Sequence, residues 1–218
     1  MVLALGLSLL AVALVGRSVM MLRLAKADLQ RTGAEYMLDG AQLAAAAAVV
    51  RAGEGGPYRW ALPTEAGFAE VFAEVEADKA APATAAAWPE ANFTSLGVTD
   101  VAGLKARLAA VADEPFADVA ALDAAPLWRE CSASLISSLG RRTEGAPPAA
   151  SEPRSRPETP DWRVGEVWRI RVTSAGGWRD DRIVRFTGDA RHPVAVVRRR
   201  LSRNDGGQGR CDAVLGAA

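Results

Sequence analysis

The stretch RTGAEYMLDGAQLAAAAAVV, residues 31–50, decides the fold. It has no proline and is rich in alanine, which favours helix. The pattern extends outward in both directions. No proline occurs in 1–56, and Gly53, Gly55, Gly56 and Pro57 supply the stop. This predicts a single helix of about 50 residues, far beyond the globular mean of 10–14. Leu22, Leu29, Tyr36, Leu43 and Val50 recur every seventh residue, with Gly33, Gly40 and Ala47 set one turn further on. Positions i, i+4 and i+7 share a helical face. The stripe therefore alternates large and very small side chains. It reads as the buried face, its glycines admitting close approach of another backbone. An ordinary amphipathic helix with two tolerated glycines is the alternative.

Toward the N-terminus the helix changes character. Residues 2–16, VLALGLSLLAVALVG, carry no charge, and SVMML continues the apolar run after Arg17. The stretch 2–22 matches the roughly 20 residues needed to cross a hydrocarbon core. Arg17, near one end, can snorkel to the interface. We therefore expect a membrane anchor over 1–23 and an amphipathic continuation over 24–56. A cleaved secretory signal and a buried soluble helix are the competing readings. Arg17, Arg23, Lys26 and Arg31 all follow the run. Taken alone, the positive-inside rule places the remainder of the chain in the cytoplasm. A short basic leader upstream of Met1 would remove that conflict.

Beyond residue 56 the chain divides by composition. Residues 57–143 form a variable strand and helix region. In FAEVFAEVEADK, Val71, Ala73 and Val75 alternate with Glu70, Phe72, Glu74 and Glu76, a period of two that favours a strand, although helix remains open. The segment 80–89 reads as loop. Asp100 is placed to cap a helix bearing Val101, Leu104, Leu108 and Val111. A later helix carries Leu127, Cys131, Leu135 and Leu139, with Gly140 as its C-cap. Residues 144–160, with five prolines, read as a linker. Residues 161–218 read as a three-stranded antiparallel meander. Its core candidates are Trp168, Ile170, Val172, Val184 and Phe186. Three strands are marginal alone and need a helix as cover. The fold class expected is α+β: a long N-terminal helix packed on a small antiparallel C-terminal sheet, with a short helical insertion between.

The chain has 26 basic and 26 acidic residues and one histidine. Most metal and nucleophile–base chemistries therefore lose their usual participant, and no GxSxG, P-loop or HExxH motif occurs. An enzyme is not expected, and no catalytic or metal-binding residue is assigned. Charge is uneven along the chain. Residues 54–130 hold 13 acids against 5 bases, and residues 151–210 hold 14 arginines against 8 acids. The two parts can attract each other across a fold or present surfaces of opposite sign. Arg198, Arg199 and Arg200 read as the basic face of a strand rather than a nucleic-acid site, because aromatic interleaving is missing. Asn204, Asp205 and Gly206 read as a turn rather than a cation loop, and His192 reads as a turn residue. Cys131 and Cys211 are a disulfide candidate if the domain lies in an oxidising compartment; two buried thiols are the alternative.

Several blocks together resemble the K-type minor pseudopilins of type II secretion, within the type IV pilin-like superfamily. The stretch RTGAEYMLDGAQLAAAAAVV resembles the family's helix just after its membrane segment. WALPTEAGFAEVFAEVEADKAAP resembles its next block, with Glu76 to Lys79 at an acidic-x-x-Lys turn. WRIRVTSAGG, IVRF and VAVVRRRL resemble its terminal strands. The resemblance implies a short basic leader before Met1. It also implies a single-pass inner-membrane protein with a periplasmic globular part, a minor tip subunit that aids protein export. Its partners would be the membrane and other pseudopilin-like subunits, not nucleic acid. Most pilins carry a glutamate near the mature N-terminus; this anchor has none, and K-type members share that trait. Some members bind calcium through clustered acids and carbonyls. No matching cluster is found here, so no cofactor is expected. The family's large helical insertion would be reduced to residues 90–140. The alternative function is a stand-alone bitopic membrane protein whose periplasmic domain binds a ligand or partner.

Overall fold

A computed structural model of the protein describes residues 2–50, 57–65, 67–141, 164–189, 191–203 and 211, with the backbone alone for 2–13 and 50. The proline-rich stretch 144–160 and the Asn204, Asp205, Gly206 turn lie outside the described residues.

The proline-free N-terminal sequence forms one helix, α1, Val2–Val50, of 49 residues. At 1.5 Å per residue it is about 74 Å long. Its C-terminal third lies on an antiparallel sheet, and the remainder projects from the globular part. The sheet has five strands in sequential order: β1 Tyr58–Thr64, β2 Gly67–Val75, β3 Val167–Ser174, β4 Trp178–Phe186 and β5 Val194–Arg203. The period-two reading of 68–75 corresponds to β2, which pairs antiparallel with β1 from Tyr58↔Ala73 to Thr64↔Gly67.

The three-stranded meander expected at the C-terminus is thus the far part of a larger sheet. β2 pairs with β3 from Ala69↔Ser174 to Val75↔Trp168. Division into a region 57–143 and a separate sheet 161–218 does not describe this core. The physical reason is twofold. Three strands bury too little alone, and β3 without β2 would leave an open edge of unpaired backbone groups. Alternation does the rest. Ala69, Val71, Ala73 and Val75 turn to the same face as Trp168, Ile170, Val172, Val184 and Phe186, and all are buried with the helix. Tyr58 stacks on Trp168 with ring centroids 6.0 Å apart, and Phe186 lies 6.4 Å from Trp168 on the other side.

Residues between β2 and β3 build a second core. Four helices, α2 Pro82–Ala86, α3 Glu90–Ser95, α4 Val101–Ala110 and α5 Pro126–Leu135, enclose Trp88, Phe93, Leu104, Leu108, Trp128 and Leu135. The segment 80–89, expected as loop, contains α2, which Pro82 starts at its first turn. Asp100 caps α4 as expected, its side chain accepting from the Gly103 amide at 2.9 Å. α5 ends at Leu135, so Gly140 is not its cap. Gly140 instead lets two backbones touch: a Cβ there would sit 2.4 Å from the Lys79 carbonyl oxygen. The insertion is tied to the end of β2 by Ala80 N–H donating to Leu135 O and Ser137 N–H donating to Ala80 O, both at 3.0 Å.

Candidate functional site

The helix α1 presents two different faces, and they are the reverse of the sequence expectation. The face on the sheet carries Leu38, Ala41, Gln42, Ala45 and Val49, all buried. Leu22, Leu29, Tyr36, Gly40 and Leu43 of the stripe point away from it, and Gly33 borders a cleft between α1 and the strand residues Phe68, Ser174 and Trp178. Leu29 is 74% exposed, Tyr36 76% and Leu43 66%. The Val50 side chain lies outside the described residues. Residues two apart on a helix are separated by about 200°, so Tyr36 and Leu38, or Leu43 and Ala45, point to opposite sides. A Cβ added at Gly33 or Gly40 would meet nothing within 4 Å.

The reason for the reversal is packing distance. Alanines at 41, 45 and 46 let the helix sit close on the bulky strand residues Trp168, Ile170 and Val172, which supply the volume. Leu38 and Val49 are also buried in that contact, and neither lies on the seven-residue pattern. Gln42 was missed for the same reason: it reads as a surface residue. It is buried and donates through Nε2 to the carbonyls of Ile170 at 3.0 Å and Asp180 at 2.9 Å, fixing the helix across β3 and β4. Asp39 extends this anchor by pairing with Arg182 and with Arg199, the latter at 3.2 Å. Asp180, fully buried, accepts from Arg182 Nε at 2.9 Å.

The described part of the helix's first half exposes many large apolar side chains. Leu14, Val15, Met20, Met21, Leu22 and Leu24 are all exposed. Among the described residues no helix is long and apolar enough to cross a membrane; the side chains of 2–13, on which the expected anchor depends, lie outside them.

The opposite face of the sheet carries a buried ionic network that joins β2, β3, β4 and α5. Lys79 Nζ donates to Glu74 Oε1 at 2.8 Å, Glu76 Oε1 at 2.6 Å and the Ala133 carbonyl of α5 at 2.8 Å. Arg169 Nε donates to Glu76 Oε1 at 2.9 Å, and its Nη1 lies 3.5 Å from Asp181. Burial raises the Glu76 pKa, but Lys79 and Arg169 outweigh it and hold the carboxyl at about 2. Asp181 is also held below its ordinary value: burial opposes this, and Arg169 and Arg171 prevail. The acidic-x-x-Lys turn seen in the sequence is therefore structural. It converts the charge asymmetry along the chain into contact between the acidic middle region and the basic strands. Arg198 of β5 pairs with Asp118 in the same sense.

Cys131 of α5 and Cys211 are bonded, with Cα atoms 5.3 Å apart and 80 positions of chain between them. The bond sits in the second core and ties the C-terminal tail to the helical insertion. His192 is exposed in the β4–β5 turn, with Nδ1 3.3 Å from Asp189. Among the described residues no cluster of three or more His, Cys, Asp or Glu is placed to hold a metal ion. No family model, curated protein or solved structure matches the chain.

Proposed function

We propose that the protein is a non-enzymatic, pseudopilin-like subunit of a type II secretion or type IV pilus-like machine, a minor tip component aiding protein export. The observation that carries this reading is the division of α1 into two faces. One face holds a five-stranded antiparallel sheet through alanines, and the other carries an apolar, glycine-bearing stripe that no described residue covers. A monomer gains nothing from Leu29, Tyr36 and Leu43 in solvent, and each exposed helical glycine destabilises it by about 1 kcal/mol relative to alanine. Both features suit a helix that packs laterally on other helices. There, small residues admit close approach and the large ones fill the gaps. The apolar first half of the helix supports storage of the subunit in the inner membrane before assembly. The disulfide supports a periplasmic location for the globular part.

A periplasm-dependent reporter fused after Ala218 tests the arrangement. It should be active, while a cytoplasm-dependent reporter at the same place should be silent. Deletion of the gene should reduce export of proteins to the medium without altering their synthesis, and the chain carrying Tyr36→Asp should fail to restore it. Activity of only the cytoplasmic reporter would overturn both the topology and the function.

A further inference from the structure

A cleft of about 350 Å³ lies between the outer face of β3–β5 and the segment from residue 117 to α5. Its charge is lopsided. Arg169 and Arg171 of β3, Arg179 of β4, Arg198, Arg200 and Arg203 of β5 and Arg129 of α5 line it, against the acids Asp118, Glu130 and Asp181. Among the described residues, seven cations and three anions leave a net +4. Adding Glu74, Glu76 and Lys79, which join the network at Arg169, still leaves +3. The remaining wall is apolar and close, including Val119, Ala120, Pro126 and Ala133. A low-dielectric wall beside guanidinium groups strengthens the local field rather than screening it.

We propose that this cleft binds a small oxyanion bearing two or more negative charges, of the phosphate or polycarboxylate type. Guanidinium forks match the paired oxygens of such groups, and a ring of several forks favours a multivalent anion over a halide. The volume falls at the lower end of ligand pockets, which suits a small molecule. Among the described residues no aromatic side chain lines the cleft, so a nucleobase would have nothing to stack on there. The state of Arg179 fits this picture. Burial and then the neighbouring Arg171 pull its pKa down to about 10, despite Asp181 and Glu130. It stays charged at neutral pH, yet the surrounding positive charge works against it, and a bound anion reverses that balance. The chemistry of the cleft is independent of what α1 does in a membrane.

Calorimetric titration of the full chain in non-ionic detergent with pyrophosphate tests this, with citrate and chloride at matched ionic strength as comparisons. Saturable binding at one site per chain is expected for pyrophosphate and citrate, and none for chloride. Pyrophosphate should also raise the melting temperature by mass action. Arg200→Gln, at the exposed rim of the cleft, should weaken binding about tenfold, the effect of one lost charge-assisted contact. Arg191→Gln removes the same charge in the β4–β5 turn, outside the cleft, and should leave binding unchanged. Near-ultraviolet circular dichroism establishes that both variants are folded. Absence of saturable binding by either oxyanion overturns the proposal. An equal loss in the Arg191 and Arg200 variants also overturns it, because the response would then follow net charge and not the cleft.

Discussion

Replacing Gly40 by alanine should stabilise the protein, and replacing Ala45 by leucine should destabilise it. Gly40 is exposed on α1 between the buried Leu38 and Ala41, so it belongs to the cooperative unit that holds the sheet. A Cβ at that position meets nothing within 4 Å. The substitution then acts only through helix propensity, a gain of about 1 kcal/mol. For a chain of this size that corresponds to a rise in melting temperature of roughly 2–4 °C. Ala45 is fully buried against the strands. Three extra heavy atoms there must displace the helix or force strained rotamers, at a cost of about 1–3 kcal/mol. The opposite signs make the pair informative, because a general effect of the detergent or of the anchor would move both variants the same way. Thermal unfolding of the full-length chain in detergent, followed by near-ultraviolet circular dichroism of the sheet tryptophans, reads the difference. A lower melting temperature for Gly40→Ala together with a tolerated Ala45→Leu would show that the stripe of Tyr36 and Leu43 faces inward and would refute the packing described here. Gly40→Ala should also impair assembly while stabilising the monomer, if the stripe receives a neighbouring helix.

Acid should weaken the fold through Glu76. Its folded pKa is about 2 against an ordinary 4.5, so its contribution is complete above about pH 4.5 and is lost as pH falls toward 2. The loss is about 3 kcal/mol, seen as a steep acid limb in denaturant midpoints measured across pH. Glu76→Gln should flatten that limb. It should also cost about 3–5 kcal/mol at neutral pH, because Lys79 and Arg169 would keep their charges without that carboxylate. An unchanged acid limb in this variant would remove Glu76 from the account. Reduction of Cys131–Cys211, which closes a loop of about 80 residues, should cost roughly 4.5 kcal/mol in the chain-entropy description. Midpoints with and without reductant should differ accordingly, and the Cys131→Ser, Cys211→Ser double variant should be insensitive to it.

What could be read from the sequence depended on whether the signal was local. The proline-free run and its Gly-Gly-Pro stop specify α1, and alternation specifies β2 through β5. Asp100 followed by an apolar period of 3.6 specifies α4. The inward face of α1 was not legible by the usual rule that large apolar residues mark the core. Leu22, Leu29, Tyr36 and Leu43 form the stronger periodic pattern, yet Leu38, Ala41, Ala45, Ala46 and Val49 are the residues buried against the sheet. A run of alanines has no preferred face on its own; the bulky strand residues opposite select it. The glycines at 33 and 40 do leave an open surface, but no described element fills it. The union of β2 with β3 joins residues more than 90 positions apart, and no local pattern encodes such a partner. Glu74, Glu76 and Lys79 look like a solvated strand end. Only the opposite charge of the two halves of the chain hinted that they meet arginines in the interior.

The central claim is that α1 holds its own sheet with one face and neighbouring subunits with the other. Photo-crosslinking in the native membrane tests it most directly, with a photoreactive residue placed singly at Tyr36, Leu43 or Ala45. The account predicts that positions 36 and 43 give adducts with other small membrane-anchored chains, and that position 45 gives only an internal link to the β-sheet. Intermolecular adducts from position 45, with none from 36 and 43, would contradict it.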